Sequence, residues 1–219
     1  MIASAAGILI LGLATLVYYR DPPDLLQPSP AITFGMVRAV LGTADLWWVS
    51  LATLIFAVLQ TVWLSFLVLY LHEVIHLSLV SAAGYLAQAQ LTGILGRVAF
   101  GILSDRVFGG QRRIVLFLAG TGSMICSLGI AATGSGTPSW LLSLLALTFG
   151  FVGIGWNGVQ YTLMAELAGP RVAGTAVGLG LAVSSLGVTL GPPLFGWAVE
   201  RSEATERPGL AWRPAWGSP

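Results

Sequence analysis

One arginine lies deep inside an apolar stretch of the sequence. Arg97 falls within the run Leu77–Leu103 and is the only permanent charge well inside any apolar run of the chain. A buried guanidinium is costly unless it faces a cavity or a partner, and its planar fork suits a carboxylate or phosphate group. Arg97 is therefore a candidate ligand for an anion. The alternative is a structural arginine paired with a carbonyl or with an acid outside this sequence.

Amide side chains also interrupt the apolar runs and are candidates to line the same site. Polar residues in such runs usually face protein or water, although many only join neighbouring helices. Trp63 and Tyr161 carry rings able to stack on a bound solute. The candidate amides are Gln60, Gln88, Gln90, Asn157 and Gln160.

A charged segment follows Arg97, and its aspartate, Asp105, lies eight residues further on, about 12 Å along a helix at about 1.5 Å per residue. The segment Gly101–Arg113 reads Gly-Ile-Leu-Ser-Asp-Arg-Val-Phe-Gly-Gly-Gln-Arg-Arg. A glycine permits close approach of a second helix, and an aspartate at a helix exit is able to meet a helix N-terminus or an arginine. An ordinary basic loop explains the arginines but not the spacing of the glycines and the aspartate. The candidate gating residues are Gly101, Asp105, Arg106, Gly109, Arg112 and Arg113, with Glu166 and Arg171 further along the chain.

The composition indicates a chain that is embedded in a lipid bilayer. Of the 219 residues, 56% are hydrophobic and 9% are charged, whereas soluble domains carry about 25% charged residues. A net charge of +1 gives no general attraction to nucleic acid. Cys126 is the single cysteine, which excludes an intramolecular disulfide framework and a multi-cysteine metal site. No cofactor is expected.

Six apolar runs predict six transmembrane helices. Each has about the 17–25 residues that a helix needs to cross the hydrocarbon layer. They are apolar on every face, so helices are favoured over barrel strands, which alternate apolar and polar residues. The runs are Ile2–Tyr19, Leu46–Leu71, Leu77–Leu103, Ile114–Ala132, Trp140–Leu167 and Ala173–Val199.

The spacing of the runs divides the chain into four regions. Residues 1–20 are expected to form one helix, and residues 46–199 a five-helix bundle. Between them, residues 21–45 form a proline-rich linker whose stretch Ile32–Leu41 is amphipathic and suited to the membrane surface. Residues 200–219 form a tail.

Small residues four apart predict close helix contacts in the last run. The pairs are Gly174 with Gly178, and Gly187 with Gly191. Pro192 and Pro193 are expected to bend the same helix.

The arginines predict the orientation of the bundle. Arg20, Arg38, Arg106, Arg112, Arg113 and Arg171 all follow odd-numbered runs, so they share one face. Arginine is enriched in cytoplasmic connections, which places this face inside. Only the tail, with further arginines, departs from the pattern.

The sequence His72-Glu73-Val-Ile-His76 matches the zinc-binding pattern of many metalloproteases. It requires two histidines on one helical face, with the glutamate as general base. A catalytic zinc also needs a third protein ligand, and the chain has only these two histidines. Asp105 and Glu166 belong to the opposite membrane face, so no metal site is favoured, and the protease remains the alternative function.

The charged segment resembles the loop signature of the major facilitator superfamily, Gly-x-Leu-Ala-Asp-Arg-x-Gly-Arg-Arg, with one extra residue before Gly109. The resemblance continues through Gly155-Trp-Asn157-Gly158 and Ala165-Glu166-Leu-Ala-Gly-Pro-Arg171, and through the glycine–proline run Gly187–Gly196.

This resemblance implies a half bundle of a two-half transporter. Ile2–Tyr19 is similar to helix six, and the next five runs to helices seven to eleven. Trp212-Arg-Pro-Ala-Trp216 resembles the start of helix twelve. The N-terminal half is then missing, and Asp105 is expected to latch the cytoplasmic side.

The function expected from this resemblance is secondary active transport of a small solute across the cell membrane by alternating access, without enzymatic activity. Arg97 favours a small organic anion as the solute, and a coupling proton or ion belongs to the same expectation. Some anion-carrying members of the superfamily have an arginine at the place of Arg97 in helix eight. The same families can carry a second cation in helix eleven, which this sequence lacks. A nonfunctional product of a truncated gene is a further alternative.

Overall fold

The computed structural model describes residues 2–19 and 33–206, and these form helices without any strand. The first part of the predicted linker, residues 21–32, and the predicted start of helix twelve, Trp212–Trp216, lie outside the described residues. The chain divides into two compact units, Met1–Gly35 and Met36–Pro219. The first contains helix α1 (Ile2–Tyr18).

The second unit contains the bundle of long helices. Their bounds are α3 (Ala44–Glu73), α4 (Leu79–Ile102) with a π-helical extension (Leu103–Val107), α5 (Arg112–Ala131), α6 (Ser139–Phe149) with a π-helical segment (Gly150–Ile154), α7 (Asn157–Ala168) and α8 (Ala173–Glu206). The short helix α2 (Phe34–Leu41) precedes them and falls within the predicted amphipathic stretch.

The described residues contain five helices that are long and apolar enough to cross a membrane: Ala44–Glu73, Leu79–Val107, Arg112–Ala131, Ser139–Ala168 and Ala173–Ser202. The predicted all-helical membrane fold is confirmed. The sixth predicted span is helical as α1, but its 17 residues make it shorter than these five. The reason for the helices is that lipid offers no hydrogen bonds to the backbone, so each apolar run satisfies its own.

Glycines bring α4 against the π-helical segment of the span Ser139–Ala168, which is called the fourth span because it is fourth of the five in the structure. A Cβ on Gly150 would collide with the Ala89 carbonyl oxygen and the Thr92 hydroxyl, and a Cβ on Gly96 would collide with the Phe151 carbonyl oxygen. Dispersion contacts between two backbones replace side-chain packing at this crossing.

The two predicted glycine pairs of α8 behave differently. A Cβ on Gly187 would lie 2.8 Å from the Leu54 carbonyl oxygen, and one on Gly191 would lie 3.3 Å from the Val58 Cα, so this pair packs on α3. A Cβ on Gly174 or Gly178 would meet nothing within 4 Å among the described residues. For that pair the prediction of a close helix contact is therefore wrong within the described residues. Helix α8 continues through Pro192 and Pro193.

We expect the α4–α5 connection to face the cytoplasm and the α5–α6 connection to face outside. The arginines of the first connection should hold it inside. Gln111 and Ser135 are exposed in the two turns, so single cysteines there, in a Cys126→Ser background, are open to a membrane-impermeant maleimide. Ser135→Cys should label in intact cells, whereas Gln111→Cys should label only after permeabilisation. Labelling of Gln111→Cys from outside would reverse the topology.

Candidate functional site

The fourth membrane span is interrupted near its middle. Helix α6 ends at Phe149, the π-helical segment follows, and a turn at Trp156 precedes α7. Side chains bond the carbonyls at this break: Trp156 Nε1 donates to the Gly153 oxygen at 3.0 Å, and Asn157 Nδ2 donates to the Ile154 oxygen at 2.9 Å. Single-turn π-helices inside α-helices frequently mark functional sites.

Two of the predicted amides meet at this break. The Gln60 Oε1 atom on α3 accepts hydrogen bonds from Trp156 Nε1 at 3.0 Å and from Asn157 Nδ2 at 3.4 Å. Gln60 and Asn157 are half-buried, while Trp156 is 1% exposed. Sequence reasoning did not select Trp156, although the motif Gly155-Trp-Asn157-Gly158 contains it.

Helix α4 brings Arg97 to the level of the same break. A Cβ on Gly155 would lie 2.9 Å from the Gly96 Cα and 3.2 Å from the Arg97 backbone nitrogen. The Arg97 side chain is exposed, and it makes no hydrogen bond or ion pair within residues 2–19 and 33–206. The Arg97 backbone therefore lies beside the break that carries the amide cluster.

The remaining predicted amides lie elsewhere. Gln160 is fully buried, and its Nε2 donates to the Val49 oxygen at 2.7 Å and to Thr53 Oγ1 at 2.6 Å, so it joins α7 to α3. Gln88 is half-buried, and its Oε1 has no partner in the described part of the chain.

The two predicted stacking rings are engaged within the bundle. Trp63 is 7% exposed and stacks on Phe149 with ring centroids 3.8 Å apart, so it belongs to the core instead of an open wall. The Tyr161 hydroxyl lies 3.4 Å from the Ser184 hydroxyl.

A second cluster of charged residues joins three helices at the end of the bundle that carries the arginines. Arg112 Nη2 lies 2.7 Å from Glu166 Oε1, its Nε donates to both Glu166 oxygens, and its Nη1 lies 3.1 Å from Asp105 Oδ1. Nη1 also donates to the buried Ser104 hydroxyl at 3.3 Å. This network connects the end of α4, the start of α5 and the end of α7.

The loop within this cluster turns through glycines. Gly109 and Gly110 have φ values of 55° and 84°, a region that favours glycine. Arg106, Arg113 and Arg171 are exposed. A Cβ on Gly101 would meet nothing within 4 Å among the described residues, so the predicted close approach at Gly101 does not occur within this unit.

Residues 1–192 match the family model of the Major Facilitator Superfamily. The chain belongs to this superfamily. It is 32% identical to an uncharacterized MFS-type transporter of Mycobacterium tuberculosis over 85% of the chain and 41% of that protein. It is 30% identical to a probable sulfoacetate transporter of Cupriavidus necator over 67% of the chain and 35% of that protein, and 31% identical to monocarboxylate transporter 13 of Bos taurus over 58% and 30%. The chain spans less than half the length of these relatives.

Membership in the major facilitator superfamily makes this chain a multi-pass membrane protein. The arginine that meets Asp105 is Arg112, at 3.1 Å, and Arg113 makes no hydrogen bond or ion pair with Asp105 within the described ranges. Glu166 is the stronger partner of Arg112, because two guanidinium nitrogens bond it.

The zinc pattern does not have the geometry that its sequence indicated. Helix α3 ends at Glu73, and His76 lies beyond it with a φ of 63°. The His72 ring nitrogen Nδ1 is 2.8 Å from the Leu77 oxygen. The two histidines therefore do not share a helical face, and no group of three metal-ligating side chains occurs among the described residues.

We expect Glu166→Gln to loosen the end of the bundle that carries the arginines more than Asp105→Asn. Each substitution removes a negatively charged partner of Arg112, but only Glu166 is bonded by two nitrogens of the Arg112 guanidinium. The pair is partly exposed, so the expected shift is about 1 kcal/mol, or about fivefold in the ratio of outward- to inward-open states.

Cysteine accessibility at the start of α8 in a complete transporter measures this shift. Arg106→Gln is the control, because its exposed side chain takes no part in the network. Equal accessibility in the Glu166→Gln and control variants would contradict a latch.

Proposed function

We propose that this chain forms the C-terminal half of a secondary active transporter that moves a small organic anion across the cell membrane by alternating access. The five spans of α3 to α8, in which α6 and α7 share one span, correspond to helices seven to eleven. Helix α1 corresponds to helix six. The partner is an N-terminal half of similar size, and transporters of this kind hold the solute between their two halves. A proton or ion that couples transport belongs to the same proposal, and no enzymatic step does.

The observation that carries the anion proposal is an arginine, Arg97, whose backbone packs beside the break in the fourth span and whose side chain has no partner within the described residues. An arginine in a membrane span usually faces a cavity or a partner. Within the described residues Arg97 has no partner, and its backbone packs against Gly155. A carboxylate or sulfonate held by the guanidinium would satisfy it with two hydrogen bonds.

The names of two relatives agree with this substrate class. A sulfoacetate carries a sulfonate and a carboxylate, and a monocarboxylate carries one carboxylate, so both present planar or tetrahedral oxyanions. Each name applies to its own protein, and the class comes to this chain as part of the proposal.

Uptake by sealed vesicles tests the function. Vesicles that contain the complete transporter should accumulate radiolabelled propionate or sulfoacetate above empty vesicles, and an excess of the unlabelled anion should compete. Vesicles with only residues 1–219 should show no uptake, because the solute site would lack its second wall. Uptake by the 219-residue chain alone would contradict the half-transporter proposal, and equal uptake by full and empty vesicles would contradict the anion proposal.

A further inference from the structure

Trp156 determines which end of the Gln60 amide is left without a hydrogen-bond partner. An indole Nε1–H donates hydrogen bonds and cannot accept them. The Gln60 atom that lies 3.0 Å from Trp156 Nε1 must therefore be the oxygen. The Gln60 Nε2 group, with two hydrogens, is left on the other side, and it has no hydrogen-bond partner in the part of the chain that the structure describes.

The same argument orients Asn157. Its amide faces two acceptors, the Gln60 Oε1 atom at 3.4 Å and the Ile154 carbonyl oxygen at 2.9 Å, so the facing atom is Nδ2. Its Oδ1 atom is left without a partner among the described residues. The Gln60–Asn157 pair thus presents one unused donor and one unused acceptor.

The residue that sets this polarity is held rigidly. Trp156 is 1% exposed, and its ring stacks on Phe56 with centroids 4.9 Å apart and an interplanar angle of 21°. Its Nε1 also donates to the Gly153 oxygen at 3.0 Å, at the π-helical segment. A flip of the Gln60 amide would place an N–H against the indole N–H, so the orientation is maintained.

We infer that the Gln60–Asn157 pair is a subsite for a hydroxyl group of the transported anion, with the anionic group on Arg97. The inference rests on the proposed function and narrows its substrate class to hydroxylated small organic anions. A hydroxyl both accepts and donates, so its chemistry matches the unused donor, Gln60 Nε2, and the unused acceptor, Asn157 Oδ1. A ketone or sulfonate oxygen only accepts. An apolar tail that displaces water from the two amide groups leaves both without a partner, which is costly.

Glycerate and propionate test the inference, because they share a three-carbon carboxylate and differ by two hydroxyl groups. Their affinities are measured by calorimetry on the purified complete transporter. Glycerate should bind more tightly by about tenfold or more. Gln60→Met removes the amide at similar length and should lower the affinity for glycerate to that for propionate. The affinity for propionate should be retained or rise, because the variant removes an amide that the apolar tail leaves unpaired. Retained propionate binding also shows that the variant is folded.

Trp156→Phe tests the positioning role of the indole. A phenyl ring keeps the stack on Phe56 but loses the N–H, so the Gln60 amide becomes free to rotate. The preference for glycerate should fall, again with propionate binding retained. Gln111→Met, on the exposed loop before α5, is the matched control and should retain the full preference.

The outcomes separate the two proposals. Equal affinities for glycerate and propionate in the wild-type transporter would overturn the hydroxyl subsite, and so would a full preference in Gln60→Met. If Gln60→Met also loses propionate binding, the hydroxyl subsite is judged from the glycerate and propionate affinities of the wild type and of Trp156→Phe. Binding of both anions that is unaffected by Arg97→Ala would instead count against the proposed function.

Discussion

Replacing Arg97 by alanine should reduce anion binding by the complete transporter about a hundredfold or more, since each charge-assisted hydrogen bond contributes about 1.5–3 kcal/mol. The side chain is exposed and free of partners in the described part of the chain, so its loss should leave the packing of α4 intact. Arg97→Lys keeps the charge but not the planar fork, and should weaken binding to an intermediate degree.

Surface expression and anion affinity, measured on the same samples, separate a binding arginine from a structural one. Arg38→Ala is the control, because it removes an exposed arginine from α2, away from the break in the fourth span. A structural arginine predicts poor expression of Arg97→Ala with normal binding by the protein that remains. Wild-type affinity in a well-expressed Arg97→Ala variant would exclude the anion site.

Replacing Gly150 by alanine should destabilise the bundle by about 1–3 kcal/mol or more, the range for overpacked interiors. The added Cβ would collide with the Ala89 carbonyl oxygen and the Thr92 hydroxyl of α4. One of these is backbone, so relief requires α4 to move away from the π-helical segment. That movement would also displace Arg97 from the break.

Gly158→Ala is the matched control in the same membrane span. A Cβ on Gly158 would meet nothing within 4 Å of the described residues, and alanine favours a helix over glycine by up to about 1 kcal/mol. Thermal unfolding in detergent should therefore show a lower midpoint for Gly150→Ala and an equal or higher one for Gly158→Ala. Equal midpoints for wild type and Gly150→Ala would mean that the two backbones do not cross so closely.

The helices of the bundle were predictable from the sequence to within a few residues. The run Leu46–Leu71 became α3 (Ala44–Glu73), and the run Trp140–Leu167 became the span Ser139–Ala168. The reason is that an apolar run in lipid has to satisfy its own backbone, which leaves the helix as the local solution. The sequence also indicated that Asp105 is able to meet an arginine or a helix N-terminus, and the structure shows that its partner is Arg112.

Patterns that depend on a helix continuing were less secure. The spacing of His72 and His76 indicates one helical face only if the helix includes both, and α3 ends at Glu73. The sequence contains no proline or glycine there to indicate the end. The turn is instead closed by contacts such as that between His72 Nδ1 and the Leu77 oxygen.

The sequence by itself determined that this protein lies in lipid, which residues form its helices and to which superfamily it belongs. It also identified Arg97 as the charge within an apolar run that requires a functional or structural explanation. It did not determine which face of each helix meets a neighbour. Gly187 and Gly174 begin identical motifs on α8, yet only Gly187 packs on α3. Gln60 and Gln160 are the same residue type, yet one lies at the break in the fourth span and the other is fully buried. Only the tertiary structure decided these cases, because the rotation of a helix that is apolar on all sides is set by packing against the other helices and not by its own composition.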